Sequence, residues 1–247
     1  MIARPLLLAG IAAVAAPAAA QEQADAGLQV ILTGYLWGSA LDGETSTVPP
    51  LPAANVDLSF GDVLEDLDGG AMAAIEVRSG PWSFLGDAMF TQTSPDGTGP
   101  LGGSVELRTR SLTLQAGALR RVHQAGGLRI DAGAGLRLWS VDARLTLDGP
   151  GGRQRRDDDD LWIDPVLIGR AEYAITDRWS VSGLVDAGGF DVGASFTWQA
   201  VATVNRRLTD SADLRVGYRA LSVNRRDGDF VYDVALHGPV VGVDFRF

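Results

Sequence analysis

The chain has 247 residues, a formal net charge of −10, no cysteine and two histidines. The acidic balance argues against a nucleic-acid partner, which calls for a basic face, and the missing thiols exclude disulfides and thiolate metal sites. All 21 basic residues are arginine, whose guanidinium forks pair well with carboxylates in confined places.

Met1, Ile2, Ala3 and Arg4 open the chain, an apolar run covers residues 6–16, and Ala18, Ala19 and Ala20 precede Gln21 and Glu22. A charged start, an apolar stretch and small residues before a polar one form a secretory leader with cleavage expected after Ala20. Residues 1–20 are therefore read as signal peptide and 21–247 as one domain. The apolar run is shorter than the ~20 residues of a membrane helix, and no later stretch is uniformly apolar over that length. A closed barrel is the remaining way to span a bilayer, because hydrocarbon offers no partner to an open sheet edge.

Ten segments alternate between apolar and polar or small residues: 28–39, 71–79, 82–92, 104–122, 127–147, 161–175, 178–188, 195–208, 212–224 and 230–247. Period two puts alternate side chains on opposite faces of a strand. The connections at 80–81, 123–126, 176–177 and 209–211 are short. Those at 40–70, 93–103, 148–160, 189–194 and 225–229 are mostly longer and rich in Gly, Pro and Asp. Short and long alternate throughout, as in outer-membrane barrels with periplasmic turns and extracellular loops. The expected fold is all-β: a single antiparallel transmembrane β-barrel of about ten strands, with a short helix in the first long loop. Eight or twelve strands are the alternatives, since that loop has room for a hairpin.

In the last segment Val241, Val243, Phe245 and Phe247 share one face, and Gly242, Asp244 and Arg246 share the other. The fifth segment sets Leu128, Ile130, Ala132, Ala134, Leu136 and Leu138 against Arg129, Asp131 and Arg137. A charge on the lipid face near the midplane costs ~2–4 kcal/mol, so the charged faces point inward. The inward set is Glu76, Arg78, Asp87, Arg129, Asp131, Arg137, Asp164, Arg170, Glu172, Asp186, Arg215, Arg219, Asp244 and Arg246. A small barrel has room only for side chains or one small ligand, so these residues are expected to form a lumen network of Arg–carboxylate pairs. A narrow channel or small-ligand transport barrel gated by the first long loop is the functional alternative. Trp82, Tyr173, Trp179, Phe245 and Phe247 fall near the short-turn ends, and Phe90, Phe196 and Trp198 near the others, as two interfacial girdles require.

Residues 60–67 carry Phe60, Val63, Leu64 and Leu67 at helical spacing, with Asp62 as a candidate cap and Gly69 and Gly70 beyond the end. This short amphipathic helix is read either as a lid over the barrel mouth or, more plainly, as a packed loop. Arg153, Arg155 and Arg156 precede four aspartates at residues 157–160. The run is expected at a loop tip, in solvent. It lacks the Gly and distal Glu of an EF-hand loop, and contact of its arginines with lipopolysaccharide phosphates is a further option. His123 is placed in a short turn and His237 in the last strand. A His237, Asp233 and Ser222 grouping is the only candidate catalytic set. No metal, nucleotide or cofactor signature is present, and the chain is read as a non-enzyme.

Tyr35-Leu36-Trp37, Val56-Asp57-Leu58-Ser59-Phe60, Asp177-Arg178-Trp179-Ser180, Gly188-Gly189-Phe190, Thr197-Trp198-Gln199, Gly217-Tyr218-Arg219, Tyr232-Asp233 and His237-Gly238-Pro239 span nearly the whole mature chain. This pattern resembles a family of Gram-negative outer-membrane β-barrel proteins, mostly without assigned activity, and is broadly similar to small porin-type barrels. The resemblance implies location in the outer membrane and supplies no catalytic residues. The implied partners are outer-membrane lipids, lipopolysaccharide and the barrel-assembly machinery, which would meet the C-terminal strand ending at Phe247. Barrel proteases and lipid-A-modifying barrels do not match, and the shortage of histidine counts against them.

Overall fold

The computed structural model describes residues 27–46, 53–98, 104–149 and 152–247; the leader at 1–20 lies outside them. Its strands are β1 (Gln29–Trp37), β2 (Ala40–Ser46), β3 (Ala54–Leu58), β4 (Leu67–Ser79), β5 (Trp82–Thr93), β6 (Asp96–Thr98) and β7 (Ser104–Ala125). There follow β8 (Leu128–Gly149), β9 (Gly152–Ala174), β10 (Trp179–Gly189), β11 (Phe196–Arg207), β12 (Ala212–Asp227) and β13 (Phe230–Arg246). One helix, α1 (Phe60–Glu65), separates β3 from β4.

Ten strands close the barrel in the order β1, β4, β5, β7, β8, β9, β10, β11, β12, β13, and β13 pairs back onto β1. Every neighbouring pair is antiparallel. The closing seam runs from Ile31 opposite Arg246 to Trp37 opposite Val240. Beyond a break at Gly38 and Ser39 the chain continues along β13 as β2, with Ala40 opposite His237, and β3 folds back on β2. The hairpin hidden in the first long loop therefore extends the wall upward and adds no strand to the ring.

Period two holds around the ring. Leu32, Ile75, Phe84, Leu136, Leu167, Val185, Val204, Val216, Val241 and Phe245 are exposed on the outside. Together they make an apolar band of the kind that faces hydrocarbon. All eight girdle aromatics, Trp82 and Trp198 included, are also exposed. Both ends of the barrel segment and the short turns lie at one end of the molecule. The long connections lie at the other.

Several expectations are corrected. Residues 153–160 are not a loop tip but the first third of β9, paired along β8 from Asp148 opposite Arg153 to Val141 opposite Asp160. β7, β8 and β9 run for 22, 22 and 23 residues. A membrane strand needs only ~9–11, so these three rise far above the band as a fin. Likewise β12 and β13 continue to a tight turn after Asp227. At the other end β7 reaches Ala125 through a bulge between Arg121 and His123, which puts His123 in the strand and leaves Gly126 and Gly127 as the turn.

The helix is capped by Ser59 rather than Asp62. The Asp62 carboxylate accepts the Ser59 hydroxyl at 2.7 Å and backbone N–H at 2.9 Å, and the Ser59 hydroxyl accepts the Asp62 N–H, a reciprocal capping box. Those bonds hold the Asp62 carboxyl below its usual range. The Phe60 ring rests on Gly38, within 2.8 Å of where a Cβ would stand. Gly38 alternates with the inward Trp37, so the helix leans on the outside of the wall and not across the mouth.

Tight coiling also needs glycine on the inside. A Cβ on Gly217 would stand 1.9 Å from the Ala202 carbonyl oxygen and 2.7 Å from the Thr203 Cα. Backbone cannot yield as a side chain tip can, so Gly217→Val costs more than the ~1–3 kcal/mol of ordinary core overpacking. Gly217→Val should lose the form that migrates differently before boiling on a denaturing gel. Ala202→Val, on the exposed face opposite, should keep it.

Candidate functional site

The lumen is stacked in layers. Near the short-turn end Arg170 bridges Glu76 and Asp131, each at 2.6 Å. Arg78 joins Glu76 to Glu172 at 2.7 Å each, and Arg129 reaches Asp131 at 2.9 Å. The buried Ser83 hydroxyl accepts from both Arg129 and Arg170. Each acid in this cluster shares its oxygens among guanidinium forks, the arrangement that repays desolvation best. Across the lumen β10 and β11 offer neutral groups: Ser182, Thr203 and Asn205 bond one another at 2.8–3.1 Å. On β12 and β13, Asp244 accepts from Arg215 and Thr33 at 2.7 Å each, and Arg246 pairs with Asp213. A cavity of about 160 Å³ lies between these walls, with Thr33, Glu76, Asp87, Arg170, Ser182 and Thr203 in its lining.

Above this level Leu119, Val166 and Ile168 form a buried apolar patch. Next comes a pair with no exposed side-chain surface: Arg137 to Asp186 at 2.7 Å. Arg137 also donates to Gln115 at 2.8 Å and Thr197 at 3.0 Å, and Asp186 accepts both the Gln115 and Gln199 amides at 3.1 Å. Beside it Arg219 reaches Asp87 at 3.1 Å and the Tyr35 hydroxyl at 2.7 Å, and lies 4.8 Å above the Trp37 ring.

The long-loop half of the lumen is apolar. Trp139 and Trp162 stack at 5.7 Å, and Tyr232 meets both edge-on. Phe230, Val141, Leu221, Val223 and Val234 belong to the same buried cluster. The turn between β10 and β11 folds against it. Ala194, fully buried, donates its N–H to Asp164 at 2.6 Å, and the Gly193 carbonyl accepts from Arg225 at 2.8 Å. Phe190 and Asp191 in this turn have φ of 51° and 60°, a region that costs a non-glycine residue ~1–2 kcal/mol. The two bonds that pin the turn offset this strain. Arg225 itself pairs with Asp160 at 3.0 Å.

All fourteen residues of the sequence-derived inward set lie on the lumen side. The structure brings them into separate groups: the Glu76–Arg78–Arg129–Asp131–Arg170–Glu172 cluster, the Arg137–Asp186 and Arg219–Asp87 pairs, and Asp244 with Arg215. Arg246 turns to Asp213, outside the set. Asp164 takes no arginine and instead accepts from Ala194 and the Trp162 indole. Sequence reasoning missed Tyr35, Gln115, Thr197 and Gln199, neutral residues at the same parity, because an uncharged polar side chain does not by itself mark an inward face. It also missed Trp139 and Trp162, although each sits two residues from an inward charge on its own strand.

The remaining candidates disperse. His237 points outward, bonding Asp42 at 2.9 Å through Nε2 and the Tyr218 hydroxyl at 2.8 Å through Nδ1. Asp233 bonds Asn224 and Arg226 instead, so the imagined grouping with Ser222 does not assemble. In the aspartate run, Asp157 pairs with Arg144 and Arg155 on the outer face and Asp160 with Arg225 on the inner. Strand alternation splits the four carboxylates between two faces.

A closed ten-stranded antiparallel ring with an apolar outer band defines a membrane β-barrel of the outer-membrane type. No family model matches the sequence, and no curated relative matches it. Among solved structures the chain is similar to Neisserial surface protein A, at 14% identity over 90% of this chain and 97% of that one, TM-score 0.32. It is also similar to Ail, the attachment invasion locus protein of Yersinia pestis, at 9% identity over 90% and 99%, TM-score 0.36. The Pseudomonas putida toluene transporter TodX follows at 9% identity over 89% of each chain, TM-score 0.37. Likenesses at these scores say nothing of what this chain binds.

Removing one member of the Arg137–Asp186 pair strands the other in the dry interior. Asp186→Ala should cost ~3–5 kcal/mol, and the double replacement Arg137→Met with Asp186→Leu under ~2 kcal/mol, because no uncompensated charge remains. Urea unfolding of the barrel in lipid vesicles measures both.

Proposed function

We propose that the chain is exported by its leader, cleaved after Ala20, and inserted in the outer membrane as a non-enzymatic barrel whose lumen is closed by its own side chains. Its work would then lie on the outside: bracing the membrane, or presenting the β7–β9 fin and the β2–β3 hairpin to partners. One observation carries this reading. The Arg137–Asp186 pair, with no solvent-exposed side-chain surface, sits beneath the Trp139–Trp162 stack, so neither end of the barrel brings water to the middle. The terminal Phe247 would serve as the contact for the assembly machinery. The outward arginines of the fin, Arg108, Arg144 and Arg155 among them, would meet lipopolysaccharide, their charge already shared with Glu106 and Asp157.

A second reading, a small-ligand barrel, draws on the cavity of about 160 Å³ below the closed layer. Access there would be from the short-turn end alone. The helix at Phe60 leans on the outer wall, so gating by the first long loop has little to act on.

Planar-bilayer recording separates the readings. The wild-type barrel and a variant lacking residues 61–68 should both be silent. The triple variant Arg137→Ala, Trp139→Ala, Trp162→Ala should open discrete conductances. Discrete openings in the wild type would overturn the closed-barrel reading in favour of a channel.

A further inference from the structure

Among the described residues thirteen arginines are paired with a carboxylate. Seven other described arginines have no carboxylate within 4.0 Å, and Arg178, Arg206 and Arg207 are three of them. These three line one cleft of about 230 Å³ at the short-turn end, together with Leu208, Thr209 and Asp210. The cleft is built by two adjacent turns. Arg207 donates its N–H to the Arg178 carbonyl at 2.8 Å, which ties the β9–β10 turn to the end of β11. Three guanidiniums against one carboxylate leave a local excess of positive charge in a chain of net charge −10.

The same end holds Arg120 and Arg121, which also lack a carboxylate partner, and Arg121 donates only to the Gly80 carbonyl. At the far end Arg110 and Arg156 are also unpaired, but they are outnumbered by Asp57, Asp142, Asp158, Asp159, Asp191 and Asp229, which have no ion-pair partner among the described residues. A positive rim on an acidic barrel asks for anions from its surroundings.

The cleft also borders the apolar band. Arg206 faces outward over the Trp179 ring at 5.5 Å. Ile175, Trp179, Val204 and Leu208 are all exposed beside it. A ligand that satisfies both features carries a phosphate on an acyl-chain body.

We propose that the Arg178–Arg206–Arg207 cleft binds the phosphate of an anionic phospholipid headgroup at the short-turn rim, with Trp179 and Leu208 against its acyl chains. This rests on the outer-membrane reading above, in which that rim meets the periplasmic leaflet. Basic residues at a membrane surface favour anionic over zwitterionic lipid. With three arginines and one aspartate the preference should be on the order of tenfold.

The test is native mass spectrometry of the full-length folded barrel in nonionic detergent, titrated with phosphatidylglycerol, phosphatidylethanolamine or inorganic phosphate. Phosphatidylglycerol should be retained about tenfold more tightly than phosphatidylethanolamine. The triple variant Arg178→Gln, Arg206→Gln, Arg207→Gln should lose that preference, and Arg206→Gln alone should lose part of it. Arg108→Gln with Arg110→Gln, at the far end, should keep it. Equal retention by wild type and triple variant would overturn the proposal. Full displacement of the lipid by millimolar phosphate would overturn the lipid assignment and leave a simple anion site. A boil-shift gel of each sample reports the barrel separately. A wild type with no shift would sink the outer-membrane reading and this inference with it, whereas a normal shift without lipid preference would sink the inference alone.

Discussion

The pairing of β1 with β13 is the constraint on which the rest depends. In hydrocarbon an unpaired N–H or C=O costs several kcal/mol, and an open ten-stranded sheet would present two full edges of them. The seam closes to its last residue: Val30 and Phe247 exchange N–H···O bonds at 3.2 and 2.9 Å. Once the ring is closed, the alternation of side chains acquires a fixed meaning. Within the apolar band every odd residue of β8 enters a narrow lumen, and every even one meets lipid. The small inward residues then follow from geometry, because coiled strands approach each other most closely at positions such as Gly217.

A ring of ten strands has little empty interior, and the chain fills it by two kinds of chemistry. In the half nearer the termini, arginine forks span the lumen and share carboxylates, so no buried ion stands alone. In the other half the same inward positions carry Trp139, Val141, Trp162 and Tyr232, which need no charge partner. Arg219 sits at the boundary and uses both, an ion pair to Asp87 and the ring face of Trp37. Buried ion pairs are weak sources of stability. Their service here is to set register, since a slip of one residue would turn Arg137 and Asp186 toward lipid.

Much of this was legible before any coordinates, for a simple reason. Period two is a local property, and it marks inward charges such as Asp131 and Arg170 without knowledge of their partners. Partnership is not local. Arg170 meets Glu76 across the lumen, 94 residues away, and no spacing announces that. The charged run at 153–160 misled because polarity suggests a loop. In a strand above the membrane both faces are wet or ion-paired, so the apolar half of the pattern disappears while the backbone pairing continues. His237 misled for a related reason. Asp233 is near in sequence and on the same face, but the imidazole bonds Asp42, which the hairpin of the first long loop brings alongside β13.

The fin and the hairpin show how differently the two ends are built. Below, the turns are short and the strands stop where the lipid does. Above, β7, β8 and β9 extend by roughly their membrane length again at ~3.3 Å per residue. This height is not needed to span a bilayer. A bare sheet of that length would expose a flat edge and invite pairing with other chains. Here the outward face is laced with charge, Arg144 and Arg155 about Asp157. The inward face holds Ala143, Leu145, Leu147, Val105 and Leu107 in a small apolar cluster of its own. Arg225, rooted in the opposite wall, reaches Asp160 and so ties the fin to the rim of the barrel. The projection is thus tied down by the same guanidinium–carboxylate chemistry that lines the lumen below it.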